Sequence, residues 1–91
     1  MSKLRDSEVW AEYARDLGDI LHSVRRDREM SQESVAYAAG LSRYTYQRLE
    51  RGLDSQGATA NPTLTTLVAI ANALDVGVED ILPARDLPEF H

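Results

Sequence analysis

The chain is expected to form a compact all-α domain of five helices with an extended first helix, and three features of the sequence predict it. Apolar residues recur at three- and four-residue steps in two segments, Val9 to Val24 and Leu64 to Leu74, the period of a helix with one buried side. Between them, residues 31–52, SQESVAYAAGLSRYTYQRLERG, divide around Gly40 into two short helices. The length, 91 residues, suits one domain with a small core.

Residues 1–6 are expected to be loose, with Ser7 as N-cap of the first helix. Val9, Tyr13, Leu17, Ile20, Leu21 and Val24 form its inner side. Trp10 and Tyr13 are large for an exposed tail, so they either fold back on the domain or meet another subunit. Arg25, Arg26 and Arg28 end the helix, where cations suit the negative end of its dipole. Met30 is a core plug. Ser31 caps the second helix, whose inner residues are Val35, Ala36 and Ala39. Gly40 stops it in a left-handed conformation that glycine adopts without strain. Leu41 is a single apolar plug before Ser42 caps the third helix. So short a join forces a steep crossing, and the small Ala36 and Ala39 permit close approach.

Residues 53–61, LDSQGATAN, are small and polar and read as a flexible connection, which costs little stability. Thr63 caps the fourth helix, with Leu64, Leu67, Ile70, Ala71 and Leu74 as its stripe. Val76 leads to a last short helix over 78–82 containing Ile81. The domain is thus expected to span 7–83, with an extended tail over 84–91 in which Leu87 and Phe90 are free to dock.

The third helix sorts its side chains by chemistry. At about 100° per residue, Tyr46 and Leu49 share one side, while Arg43, Tyr44, Gln47, Arg48 and Arg51 occupy a separate arc of roughly 140°. Three guanidinium forks, an amide and a phenol suit phosphate oxygens and base edges. Solvation alone explains charges on any surface helix, but not this clustering with the spacing around Gly40.

Other classes find little support. The chain has no cysteine, hence no disulfide, thiolate zinc site or cysteine nucleophile. Paired carboxylates, a nucleophile elbow and a phosphate loop are absent, so no enzyme, cofactor or metal site is expected. His22 stands alone without ligand spacing. No apolar run approaches the ~20 residues of a membrane span and no signal peptide opens the chain, so a cytoplasmic, nucleoid-associated protein is expected. The net charge of −5 is unusual for a nucleic-acid binder. It is unevenly placed: residues 1–30 carry six basic and seven acidic groups, residues 31–52 three and two, and residues 53–91 one and six. The acidity therefore lies behind the 31–52 segment, in a position to orient the molecule without touching DNA.

Gln32, Ala36, Gly40, Leu41, Tyr46 and Leu49 fall where a helix-turn-helix has its polar start, small residue, turn glycine and three apolar plugs. The stretch resembles the lambda-repressor-like, Cro/XRE family of DNA-binding domains, and the likeness runs from about Leu17 to Leu82. The resemblance implies a five-helix domain that binds operator DNA as a homodimer, represses transcription, and inserts helix 42–51 in the major groove. It implies base reading by Arg43, Tyr44 and Arg48 with help from Gln47, phosphate binding by Gln32, Ser42 and Arg51, and an ion pair between Arg25 and Glu50. Three features depart from the family: the additional first-helix residues 7–15, the longer 53–61 loop, and Tyr46, where a branched aliphatic is usual. A second reading is a protein-interaction module of the same fold, such as an antitoxin or regulatory subunit, meeting a protein partner through Trp10, Tyr13 or Phe90.

Overall fold

A computed structural model describes residues 8–84. Four α-helices follow in order: α1 (Glu8–Asp27), α2 (Gln32–Ala39), α3 (Arg43–Leu49) and α4 (Leu64–Leu74). A single 3-10 turn, Val78–Asp80, closes the series. Among the described residues there is no strand, only an isolated antiparallel bridge between Leu53 and Thr59. The expected N-cap Ser7, the loose start, Leu87 and Phe90 lie outside the described residues, as does the tail beyond Ala84.

Local chemistry accounts for the ends of the middle helices. The hydroxyls of Ser31, Ser42 and Thr63 accept hydrogen bonds from the N–H groups of Ser34, Thr45 and Thr66, satisfying donors that an opening helical turn leaves free. Gly40, at φ 74°, ends α2, and its N–H returns to the Ala36 and Tyr37 carbonyls. Asp75 takes the corresponding left-handed position after α4, at φ 59°. The guanidinium of Arg28, just past α1, donates to the Asp75 carbonyl at 3.2 Å and so ties two helix ends together.

α2 is central, packed against both α3 and α4. Leu21, Val35, Tyr46, Ile70, Leu74 and Ile81 are fully buried and form the core where the helices meet. α1 lies across the end of α3 at a contact the sequence does not announce. A Cβ at Gly18 would sit 2.5 Å from the Glu50 carbonyl oxygen and 2.8 Å from that of Leu49, so only glycine admits this backbone approach.

Two expectations are corrected. The last helix is one 3-10 turn rather than a five-residue helix. With no hydroxyl at Gly77, the turn is closed by the Asp80 carboxylate, which accepts the Gly77 N–H at 3.0 Å. The 53–61 connection is a folded hairpin rather than a flexible link. The Asp54 N–H donates to the Ala58 carbonyl at 2.8 Å and the Ala60 N–H to the Gly52 carbonyl at 2.9 Å.

Candidate nucleic-acid interface

α3 presents its polar arc outward and its apolar pair inward. Arg43, Tyr44, Gln47 and Arg51 are exposed, Arg48 is half-buried, and Tyr46 and Leu49 are buried. The guanidinium carbon of Arg48 lies 5.4 Å from the centre of the Tyr44 ring, a cation–π contact between residues one turn apart. Arg48 Nε also points to the Asp54 carbonyl at 3.4 Å. Arg48 is therefore held on two sides, whereas Arg43 and Arg51 are exposed and have no partner among the described residues.

The residues expected on phosphates are placed differently from one another. Ser42 is exposed, but its hydroxyl caps α3 and donates to Thr45 Oγ1 at 2.9 Å. Gln32 opens α2 half-buried, and its amide nitrogen donates to Glu50 Oε1 at 3.0 Å.

Beneath α3 sits a dense polar cluster centred on Glu50, whose side chain is 3 % exposed. Arg25 from α1 grips it with two bonds, Nε to Oε2 at 2.7 Å and Nη2 to Oε1 at 3.1 Å, the fork geometry that makes arginine a strong carboxylate partner. Arg25 Nη1 donates to the Met30 carbonyl at 3.0 Å, so the same side chain also holds the α1–α2 turn. His22 Nδ1 lies 3.2 Å from Glu50 Oε1 and 3.1 Å from Arg25 Nη2. A guanidinium only donates, so that nitrogen either gives a proton to Glu50 or accepts one from Arg25. Burial opposes the Glu50 charge, but the Arg25 fork first, then the nearby Tyr46 hydroxyl, Gln32 and His22, outweigh it and hold the carboxyl down at about 2. The cluster joins α1, the start of α2 and the end of α3, and thereby fixes the tilt of α3 on the domain.

Tyr46 borders this cluster. Its ring is fully buried, and the hydroxyl feels the charges of Glu50 and Arg25 without closing a well-formed hydrogen bond to either. Burial, followed by the neighbouring carboxylate, raises its phenol far above the usual range.

The hairpin after α3 is built by its own side chain. Asp54 Oδ1 accepts the N–H groups of Gln56 at 2.8 Å and Ala58 at 2.9 Å, and Gly57 turns the tip at φ 88°. From the far side, the Trp10 indole donates to the Ala60 carbonyl at 3.0 Å. Its ring stacks on Tyr13 with 5.4 Å between centroids and 11° between planes. Tyr13 is buried. Of the two placements open for these aromatics, the structure has them folded back on the domain, anchoring the hairpin.

Sequence reasoning missed three residues here. Gly18 carried no local signal, because a glycine inside a helical pattern does not say what approaches it. Asp54 looked like one polar residue among several in a loop. His22 was set aside for want of metal spacing, although its position three residues before Arg25 puts both on one side of α1. Among the described residues no His, Cys, Asp or Glu group has a metal-holding arrangement, and no helix is long and apolar enough to cross a membrane.

Comparison with known proteins places this geometry. The profile of the HTH_3 helix-turn-helix family matches residues 21–81. The HTH-type transcriptional regulator y4dJ of Sinorhizobium fredii is 34% identical over 73 residues, covering 79% of this chain and 87% of that protein. The restriction-modification controller protein C.AhdI of Aeromonas hydrophila superposes with a TM-score of 0.66 at 28% identity, over 76% of this chain and 96% of its own. The clp gene regulator ClgR of Corynebacterium glutamicum gives a TM-score of 0.66 at 26% identity, over 76% of this chain and 81% of its own.

Proposed function

The chain belongs to the HTH_3 (XRE-type) helix-turn-helix family and is a DNA-binding transcription regulator, and from that premise we propose that it reads a specific operator with the outer arc of α3 as a homodimer that represses transcription. The observation that carries this is the sorting of α3: an exposed arc of Arg43, Tyr44, Gln47 and Arg51 with the braced Arg48, over a fixed buried base.

Arg43 and Tyr44 sit in the opening turn, the part of a recognition helix that enters the major groove, and Arg48 follows one turn on. Arg43 or Arg48 holds a guanine through O6 and N7, and Gln47 reads an adenine or braces Arg43. Arg51, exposed beyond the helix end, pairs with a phosphate. Gln32 keeps one amide hydrogen on Glu50 and offers the second to a phosphate, and Ser42 reaches a phosphate by releasing Thr45 Oγ1. Seven residues of recognition helix read only a few base pairs. Two copies related by a two-fold axis set their helices about 34–36 Å apart, one turn of duplex, and lengthen the site. The exposed apolar pair Leu64 and Val68, on one side of α4, is the surface we assign to that contact. The repression proposed here is by occupancy, a dimer seated across a promoter keeping polymerase off it.

Selection of the preferred duplex from a random pool, repeated with Arg48→Ala and Arg51→Ala, tests the assignment. Arg48→Ala is expected to relax preference at one or two positions. Arg51→Ala is expected to weaken all sequences alike and make the salt slope shallower by about one. A uniform loss in both, with base preferences intact, removes Arg48 from base reading. Ultracentrifugation showing a monomer at micromolar protein, with one chain per operator, removes the dimer.

A further inference from the structure

The 52–60 hairpin gives the core only Ala60 at its closing end, and away from that end its backbone converges on the side chain of Arg48. The Asp54 carbonyl is 3.4 Å from Nε, and the tip passes so close that a Cβ added at Gly57 would lie 3.1 Å from Nη2. The Tyr44 ring covers the guanidinium from α3 itself. We propose that this hairpin is a specificity-determining element that aims Arg48 at its base, with Asp54 and Gly57 as positioning residues that do not themselves touch DNA. The inference rests on the base-reading role given to Arg48 above.

The physical reason is the entropy of a long side chain. A free arginine must give up most of its rotamer freedom to hold a guanine bidentately, whereas one already confined gives up less. The hairpin takes only Nε, so Nη1 and Nη2, the pair that can face O6 and N7 together, have no hydrogen-bond partner among the described residues. Confinement needs a rigid backbone, and Asp54 supplies it by accepting two N–H groups within its own turn. The Leu53–Thr59 bridge closes the hairpin, and the Trp10 indole fixes its far end on α1 through the Ala60 carbonyl. The additional first-helix turn and the long loop are in this way parts of one brace. Gly57 is glycine for two reasons: its φ of 88° and the Arg48 nitrogen beside it.

The test compares base-preference profiles of the full chain, selected from a random duplex pool, for Arg48→Ala, Asp54→Ala, Asp54→Asn and Gly57→Ala. Thermal midpoints are recorded for each. Asp54→Ala and Gly57→Ala are expected to cut the preference at the positions Arg48 reads by about fivefold or more, within what one bidentate contact commands, and to leave the positions read by Arg43 unchanged. Asp54→Asn, which keeps the accepting Oδ1, is expected to retain the parental profile. Flattening confined to the Arg48 positions supports the brace even where an alanine variant is less stable, since partial unfolding lowers affinity for every sequence alike. Unchanged profiles in both alanine variants, alongside a flattened Arg48→Ala, overturn the brace and leave base reading standing. Equal flattening by Asp54→Asn also overturns it. An unchanged profile in Arg48→Ala overturns the base-reading role and the inference with it.

Discussion

Arg25 and Arg48 share a chemistry and lie on opposite sides of α3, and their surroundings differ in almost every respect. Around Arg25 every strong group is committed: the guanidinium binds two carboxylate oxygens and a carbonyl, and Glu50 accepts from Arg25 and Gln32. Around Arg48 the contacts are a ring face and one long bond to a backbone oxygen, and the rest of the fork is uncommitted. The first region spends its hydrogen-bonding capacity on holding α3 still. The second leaves most of its capacity open. Desolvation explains the division: a buried charge must be fully paired, whereas a half-exposed one can stay open at little cost. Three predictions probe that contrast on the stability side.

The largest effect is expected from Glu50→Ala, which strands Arg25 with a side chain only 13% exposed. Loss of one partner of such a pair costs about 3–5 kcal/mol, read by denaturant unfolding. Glu79→Ala, on an exposed residue, should be near neutral. Comparable, small losses in both variants would show that the Glu50 side is no more committed than the Arg48 side.

Acid should separate the regions next. The Glu50 carboxyl is held at about 2 against an ordinary 4.5. A depressed folded value means the added stability is complete above about pH 4.5 and is lost as pH falls through about 2. That difference corresponds to about 3 kcal/mol. Glu50→Gln should flatten this acid limb relative to the parent protein, and parallel limbs in the two would place the titration elsewhere.

The smallest effect concerns the border between the regions. Tyr46 buries a hydroxyl that closes no hydrogen bond. Removing an unsatisfied group relieves its desolvation, so Tyr46→Phe should be neutral or raise stability by about 1 kcal/mol. A loss of similar size would mean that the hydroxyl does support Glu50.

Much of the scaffold is legible along the chain, because its signals are local. Ser31, Ser42 and Thr63 cap the helices they precede, and a hydroxyl needs only the next turn's N–H groups to do so. Gly40 stops α2 for a reason internal to its own φ. The inner positions of α1, α3 and α4 follow from helical period, and the outer arc of α3 is the complement of its inner side. The 3-10 turn at Val78–Asp80 was less legible, since length and hydrogen-bond type at a chain's last element depend on what it packs against.

What no local signal carried is contact between segments far apart in sequence. Gly18 is glycine because the carbonyls of Leu49 and Glu50 arrive from some thirty residues on. Trp10 fastens Ala60, and Asp54 shapes a hairpin whose nearness to Arg48 appears only in three dimensions. The sequence by itself determined the four α-helices, the caps of α2, α3 and α4, and which side of α3 faces out, since periodicity and capping act within a turn or two of chain. The tertiary structure alone decided how α1 seats against the end of α3, which partners share Glu50, and what holds Arg48. Those depend on distances between elements, and three-dimensional packing sets them.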